Sequence, residues 1–309
     1  MNTACVSAHR TGRGDMRSGR PATIAGLLPF GVGVALLLLG PIGVTGVLAF
    51  TDYDAIRPSR FVGFDNFGEL WNDRVFRIAV WNSGAHVAAS VPLRLAGALG
   101  LALLLHRPSR RTRFGRIAVM LPTILPDAAY ALVWLWLLNP LYGPVNAIAS
   151  RFGARPGWFS DPSLALPAMV LMGAFQIGEG FVICLAARQL IPPTVYDVAA
   201  VEGLRPVQVL RRITLPTMAP TLLLLGLRDL GLAAHNSFSA ALLITDGGPA
   251  PYATTVVPLF VYRTSFEYLR FGYGAAATVV MLVATGMVVA AQLLVIRRWA
   301  WRTSSTDRP

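Results

Sequence analysis

The chain contains no lysine: all 27 of its basic residues are arginine. That absence removes several chemistries at once. A phosphate-cradling P-loop needs a lysine after its glycine-rich turn to reach the terminal phosphates, and Schiff-base or lysine-base catalysis needs the amine itself. Histidine is scarce, and His9, His86, His106 and His235 show none of the four-residue spacing of a helix-borne zinc pair. The two cysteines are Cys5, in a polar tail, and Cys184, inside an apolar run, so neither a disulfide framework nor a cysteine-rich metal site is available. No GxSxG elbow occurs. The sequence therefore carries no enzyme motif, no cofactor pattern and no metal pattern. Energy for any work it performs comes from a partner or from an ion gradient.

What fills the chain instead is apolar. Hydrophobic residues make up 54% and charged residues 14%, with a mean hydropathy of +0.56. Several runs reach the roughly 18 apolar residues that call for a membrane helix. Six spans are expected: Ala25 to Phe50, Ser83 to Leu105, Ile117 to Leu138, Leu164 to Ala187, Leu222 to Leu243 and Ala275 to Ile296. Asp127 interrupts the third and the Arg228-Asp229 pair the fifth. A soluble helical protein would show charged outer faces, and Val32 to Leu39 and Gly97 to Leu105 have none. The expected fold class is an all-α polytopic membrane protein with six transmembrane helices.

The net charge of +12 is unevenly spread, and the imbalance orients the chain. The N-terminal tail, the loop at His106 to Arg116, the loop at Thr194 to Pro220 and the C-terminal tail carry sixteen arginines against four acids, whereas the other three loops hold eight of each. The positive-inside rule then puts both termini and the Thr194 to Pro220 loop in the cytoplasm. Topology accounts for the surplus, and no arginine-rich stretch interleaved with aromatics suggests nucleic-acid binding. The first apolar segment follows a polar tail of more than twenty residues, so it reads as a retained span rather than a cleaved signal. The expected organisation is a basic, disordered, membrane-adjacent cytoplasmic tail over 1–22, a transmembrane domain over 23–298 containing a structured loop at 192–216, and a cytoplasmic tail over 299–309.

That loop, between two apolar segments, has helix punctuation. Thr194 followed by Asp197 at the third position makes a capping-box pattern, predicting a helix that begins at Val195. Gly203 suits the left-handed position where such a helix stops. Pro206 suits the first turn of a second short helix, and Arg211 and Arg212 suit its negative end. A helix of about two turns is marginal alone in water, so the body of the chain or a partner must hold it.

At this loop the residues resemble a known family. Tyr196-Asp197-Val198-Ala199-Ala200-Val201-Glu202-Gly203, with Arg212-Ile213-Thr214-Leu215-Pro216 beyond it, is similar to the cytoplasmic EAA signature of binding-protein-dependent ABC importer permeases. Phe61 to Phe67, Asn82-Ser83, Ile191-Pro192, Thr245 to Pro249 and Tyr262 to Phe266 resemble the sugar-permease branch that includes maltose and glycerol-phosphate systems. The resemblance implies a MetI-like fold in a bacterial cell membrane, without a cofactor. It also implies a second permease subunit, two ATPase subunits and an extracytoplasmic binding protein that delivers a sugar or related solute. The loop's first helix would be the coupling helix seated in a cleft of the ATPase, with Tyr196, Asp197, Ala199, Ala200, Glu202 and Gly203 as coupling residues. The chain departs from the signature at Asp197 (commonly Glu), Val198 (Ala), Glu202 (Asp) and Leu204 (Ala). Both acidic places keep their sign, while Val198 and Leu204 add bulk that the partner's cleft must match. Taken from the residues alone, Asp197 equally serves as a helix cap and Glu202 as a solvated charge.

Polar residues within the spans are the remaining candidates. Arg94, Asp127, Glu179, Arg188, Arg228 and Asp229 lie in or near apolar segments, where a central charge costs about 2.5 to 3.5 kcal/mol on insertion scales. Adjacent helical residues do not face each other, so Arg228 and Asp229 each need another partner, while Arg188 can snorkel to the cytoplasmic surface. Glu179, His235, Asn236 and Ser239 are candidates to line a translocation path; helix–helix hydrogen bonding accounts for them equally. A proton-coupled secondary transporter using Asp127, Glu179 or Asp229 as a relay is the alternative from another class. Trp134, Trp136 and Trp158 read as packing or interfacial anchors, and Gly247-Gly248-Pro249 as a tight external turn.

Overall fold

The computed structural model describes the backbone of residues 28–304 and, outside residues 234–236 and 298–304, their side chains. The expected tail over 1–22 and residues 305–309 lie outside that range. The chain forms two units divided after Val47. The described part of the first is residues 28–47, all but the last residue of helix α1, Leu28–Leu48, which is apolar on every side, with Leu36 and Leu37 among its exposed residues. Its turn widens into a π-helical segment over Ala35–Leu39 just before Pro41, whose ring would otherwise crowd the preceding carbonyls.

The second unit begins with α2, Asp65–Asn72, and α3, Arg74–Leu104. Asp73 starts α3 by accepting the backbone N–H groups of Val75 at 2.7 Å and Phe76 at 3.2 Å. This cap explains why the second span begins at Arg74 rather than at Ser83. At 1.5 Å per residue, α3 is about 46 Å long, more than the ~30 Å hydrocarbon core, so its end projects from the membrane.

The third and fourth spans are broken. Helix α4, Arg110–Ile124, opens with a capping box between Ser109 and Thr112. Leu125 then takes an extended backbone ahead of Pro126, as the residue before a proline prefers, and α5, Asp127–Leu137, leaves at 106°. The expected single span from Ile117 to Leu138 is thus two helices meeting at a proline. After the short α6, Pro144–Ala149, helices α7, Pro162–Ala174, and α8, Gly178–Gln189, meet at 46°. The Gly178 N–H donates to Thr123 Oγ1 at 3.0 Å, and a side chain at Gly178 would collide with that threonine, so glycine lets the fourth span close on the third.

Helix α9, Pro193–Val201, is followed by α10, Pro206–Thr245, one continuous helix rather than a short helix followed by a separate fifth span. It passes the run before Pro216 by widening into a π-helical turn at Leu210–Thr214, so Arg211 and Arg212 lie inside the helix instead of at its end. Helix α11, Val257–Tyr262, and α12, Phe271–Ser304, complete the unit, and α12 continues past the expected boundary at 298.

Of the four apolar cores among the described residues, two join the central spans. Ala98 and Ala102 of α3 pack with Phe181 and Cys184 of α8 and with Met218 and Leu225 of α10, the small residues permitting close helix approach. Tyr130 and Trp134 of α5 pack with Met169 and Met172 of α7 and with the far end of α10, and the Tyr130 hydroxyl donates to the Met172 carbonyl at 2.6 Å. Trp134 sits edge-on to Phe175 with ring centroids 5.2 Å apart, and Trp158 donates to Asn146 Oδ1 at 2.8 Å. Both are packed, as expected. Among the described residues four helices are long and apolar enough to cross a membrane, and counting each bent pair as one crossing gives six.

Candidate functional site

Helix α9 starts earlier than its capping box suggested. Pro193 occupies the first helical position, where its fixed φ is pre-organised and its missing N–H costs nothing, and no side chain caps the helix. Thr194 and Asp197 therefore stand inside the first turns instead of bracketing the start. The end is as expected. Gly203 has φ +71°, and the N–H groups of Gly203 and Leu204 return to the carbonyls of Ala200 at 3.1 Å and Ala199 at 3.0 Å.

The two faces of α9 differ. Ala199 is 2% exposed and faces the body, so it fixes the helix rather than adding to an outer surface. The half-buried Tyr196 hydroxyl meets Thr214 Oγ1 of α10 at 3.2 Å, and the Arg188 guanidinium of α8 lies 3.9 Å from the Tyr196 ring centroid. Arg188 thus stacks on the loop rather than merely reaching for solvent. One tyrosine ties this short helix to two spans, the support that its length requires. Asp197, Val198, Ala200, Glu202 and Gly203 are exposed, and Val201 is 90% exposed. The outer face is an apolar ridge flanked by two carboxylates.

A second arrangement lies within the spans. Arg94 of α3 and Asp229 of α10, with side chains 9% and 4% exposed, form an ion pair at 3.6 Å. Arg228 pairs with Glu179 of α8 and also turns toward Asp229, 3.3 Å away. Each of the adjacent residues finds the separate partner expected, and the long arginine additionally reaches its neighbour. The result is a neutral chain of four charges joining α3, α10 and α8. Two turns of α3 extend it: His86, Ser90 and Arg94 recur every fourth residue and line a cavity of about 20 Å³ with Gln176 and Ser237. The four-residue recurrence puts His86, Ser90 and Arg94 on one face of α3, but the sequence does not say which acid that face meets.

Of the four proposed path residues, the two whose side chains are described, Glu179 and Ser239, stand apart. Glu179 is engaged with Arg228. Ser239 is half-buried, eleven residues further along α10, or about 16 Å at 1.5 Å per residue. The side chains of His235 and Asn236 lie outside those described. Asp127 is exposed at the first turn of α5, where the helix dipole favours its charge. Among the described residues no group of three or more His, Cys, Asp or Glu is placed to hold a metal ion.

Over residues 95–301 the sequence matches the family described as the binding-protein-dependent transport system inner membrane component. The chain belongs to this family. It is 30% identical over 280 residues to the probable ABC transporter permease protein YesP of Bacillus subtilis, covering 88% of this chain and 90% of that one. It is 28% identical over 278 residues to the sulfoquinovosyl glycerol transport system permease protein SmoG of Agrobacterium fabrum, covering 88% and 89%. The sn-glycerol-3-phosphate permease protein UgpA of Escherichia coli is 29% identical over 225 residues, covering 72% and 76%. A chain of the bacterial ABC transporter that imports the acidic polysaccharide alginate superposes with a TM-score of 0.79 at 25% identity, over 91% of this chain and 96% of that one. The protein is thus an inner-membrane permease of an ABC importer. It works with a binding protein and an ATPase on other chains, and it is not an enzyme.

Proposed function

We propose that this permease, paired with a second permease subunit, forms the translocation path for a carbohydrate, and that an ATPase seated on the outer face of α9 drives it. The observation that carries the reading is the build of α9: a ridge of Val198 and Val201 flanked by Asp197 and Glu202 faces outward, while Tyr196 ties the helix to α8 and α10. A large exposed apolar side chain on a short rigid helix calls for a partner surface. Val201 joins the expected coupling residues Asp197, Ala200, Glu202 and Gly203 on that surface, and Tyr196 and Ala199 serve it from beneath. Movement of the ATPase pair would pass through Tyr196 to the two spans, since only contacts that differ between two states can drive a switch. Two ATPase subunits, one for each permease, complete the assembly.

The arginine distribution supports a cytoplasmic position for α9 and both termini. A carbohydrate is favoured because relatives carry names for a sulfoquinovosyl glycerol, a glycerol phosphate and a polysaccharide. A proton relay is disfavoured by the charge chain, because Glu179 and Asp229 are each held by arginine and Asp127 stands on another helix. Uptake into cells should therefore survive an uncoupler while ATP is maintained, and should be blocked by vanadate. Uptake that collapses with the uncoupler under those conditions would reject the ATP-driven reading. Identifying the solute held by the cognate binding protein tests the carbohydrate.

A further inference from the structure

Away from α9, at the other end of α10, the chain reverses over a pocket. Asp246, Gly247 and Gly248 all have left-handed backbones, with φ of +46°, +83° and +89°. Thr255 Oγ1 fastens the turn by donating to the Gly247 carbonyl at 3.0 Å, and Asn82 of α3 donates to the carbonyls of Tyr252 and Thr255, each at 3.0 Å. Between this strap and the starts of α3 and α12 lies a cavity of about 280 Å³. Asp73, Arg263 and Arg270 form its polar walls, and Tyr252, Tyr268 and Tyr273 its aromatic ones.

The charges around this cavity decide what it can hold. Arg270 makes paired hydrogen bonds to Glu69 at 2.8 and 2.6 Å and stacks 4.4 Å from the Tyr273 ring centroid. Arg263 donates to the carbonyl and the carboxylate of Asp246, and its Nε lies 3.7 Å from Glu267. Asp73 accepts from the Tyr273 hydroxyl at 2.9 Å. Of the four carboxylates around the two arginines, Asp73 lines the cavity beside them, while Glu69, Asp246 and Glu267 lie outside the lining and neutralise them, so the group carries an excess of negative charge. An anion entering here meets arginines that are already neutralised and acids that repel it. An uncharged polyol meets no such barrier, because hydroxyls both donate to carboxylates and accept from guanidinium N–H groups. The tyrosine faces supply the apolar side: Tyr252 and Tyr268 are 45% and 66% exposed, so their rings are free to pack against the C–H face of a sugar. Arg263 Nε is buried and makes no hydrogen bond among the described residues.

We propose that this pocket is a subsite for one neutral saccharide unit, which it selects over acidic or phosphorylated sugars. Its volume of about 280 Å³ falls just below the roughly 300–1,000 Å³ of small-ligand pockets, which suits one ring rather than an oligosaccharide. The sugar ring packs against Tyr268 and Tyr252, and its hydroxyls reach Asp73 and Arg263. The inference rests on the importer reading only for the side from which the sugar arrives.

The test uses the assembled permease and ATPase complex in lipid nanodiscs. Saturation-transfer NMR is recorded with methyl glucoside, methyl galactoside, glucuronate and glycerol 3-phosphate at equal concentrations. At least one neutral glycoside should give a signal several-fold above those of both anions. That signal should be lost in Tyr268→Ala and largely kept in Tyr268→Phe, with thermal melts of both variants confirming the fold. Silence from both glycosides, an equal signal from glucuronate, or an undiminished signal in Tyr268→Ala would each overturn the proposal. Failure of ATP-driven uptake with the neutral signal intact would instead count against the importer reading alone.

Discussion

Arg94 and Asp229 show what a single pair of residues does inside a membrane protein. Each side chain is almost wholly buried, and their 3.6 Å approach gives each charge its counter-ion. Removing Asp229 leaves Arg94 as an uncompensated buried charge, which costs about 3–5 kcal/mol, removing Arg94 leaves Asp229 with Arg228 alone at 3.3 Å, and replacing both with apolar residues of similar volume is often close to neutral. Asp229→Leu alone should therefore lower the melting temperature of the purified permease sharply and Arg94→Met less so, and the double variant should recover much of the loss caused by Asp229→Leu. A double variant no better than the worse single one would mean that the two charges act independently. This pairing was not legible in the sequence, because Arg94 and Asp229 lie on different helices and only the fold selects which acid meets which arginine. Gly203 was legible, since left-handed backbone at a helix end is a local demand that one residue meets at no steric cost. Gly203→Ala should lose about 1–2 kcal/mol locally and slow ATP-driven uptake, with Gly203→Asn falling between, because asparagine tolerates that backbone better. An alanine variant with unchanged uptake would show that the exit from α9 need not be held.

At the scale of elements, α9 depends on attachments rather than on its own length. A cation–π contact is worth about 0.5–2 kcal/mol and a neutral hydrogen bond about 1 kcal/mol, so the Tyr196 ring and hydroxyl contribute comparably to holding the helix. Tyr196→Phe keeps the stack on Arg188 and should retain most uptake. Tyr196→Ala loses both attachments, and the ATPase should then still co-purify and hydrolyse ATP while solute uptake falls. Uptake at the parental rate in Tyr196→Ala would show that the force passes elsewhere. The sequence foretold that a short helix stands here and where it ends, but its start fell to Pro193 because a proline at the first position outcompetes a side-chain cap. The bent spans escaped detection for a related reason. Hydropathy measures how apolar a segment is, not its direction, and the 106° turn at Pro126 and the 46° turn before Gly178 leave the apolar run intact. The merging of α9's successor with the fifth span was hidden by the polar run through Arg211 and Arg212, which reads as a loop yet continues as helix.

For the whole molecule, the question is which end meets the cytoplasm, and the charge count proposes an answer that can be mapped. The ends bearing sixteen of the arginines include the loop that carries α9, while the balanced loops include the turn between α5 and α6. Val201, at the exposed end of α9, and Tyr142, exposed ahead of α6, are suitable reporters at the two sides. With Cys5 replaced by serine, the remaining native thiol is Cys184, which is buried. A membrane-impermeant maleimide should then label Tyr142→Cys in cells whose inner membrane is intact, and should label Val201→Cys only after that membrane is opened. Co-expression of the ATPase should slow the second reaction and leave the first unchanged, because the apolar ridge of α9 is the surface proposed to be covered. The reverse pattern of labelling would invert the topology and remove the argument for an ATPase on α9. Equal labelling of Val201→Cys with and without the ATPase would leave the topology standing and reject the docking face alone.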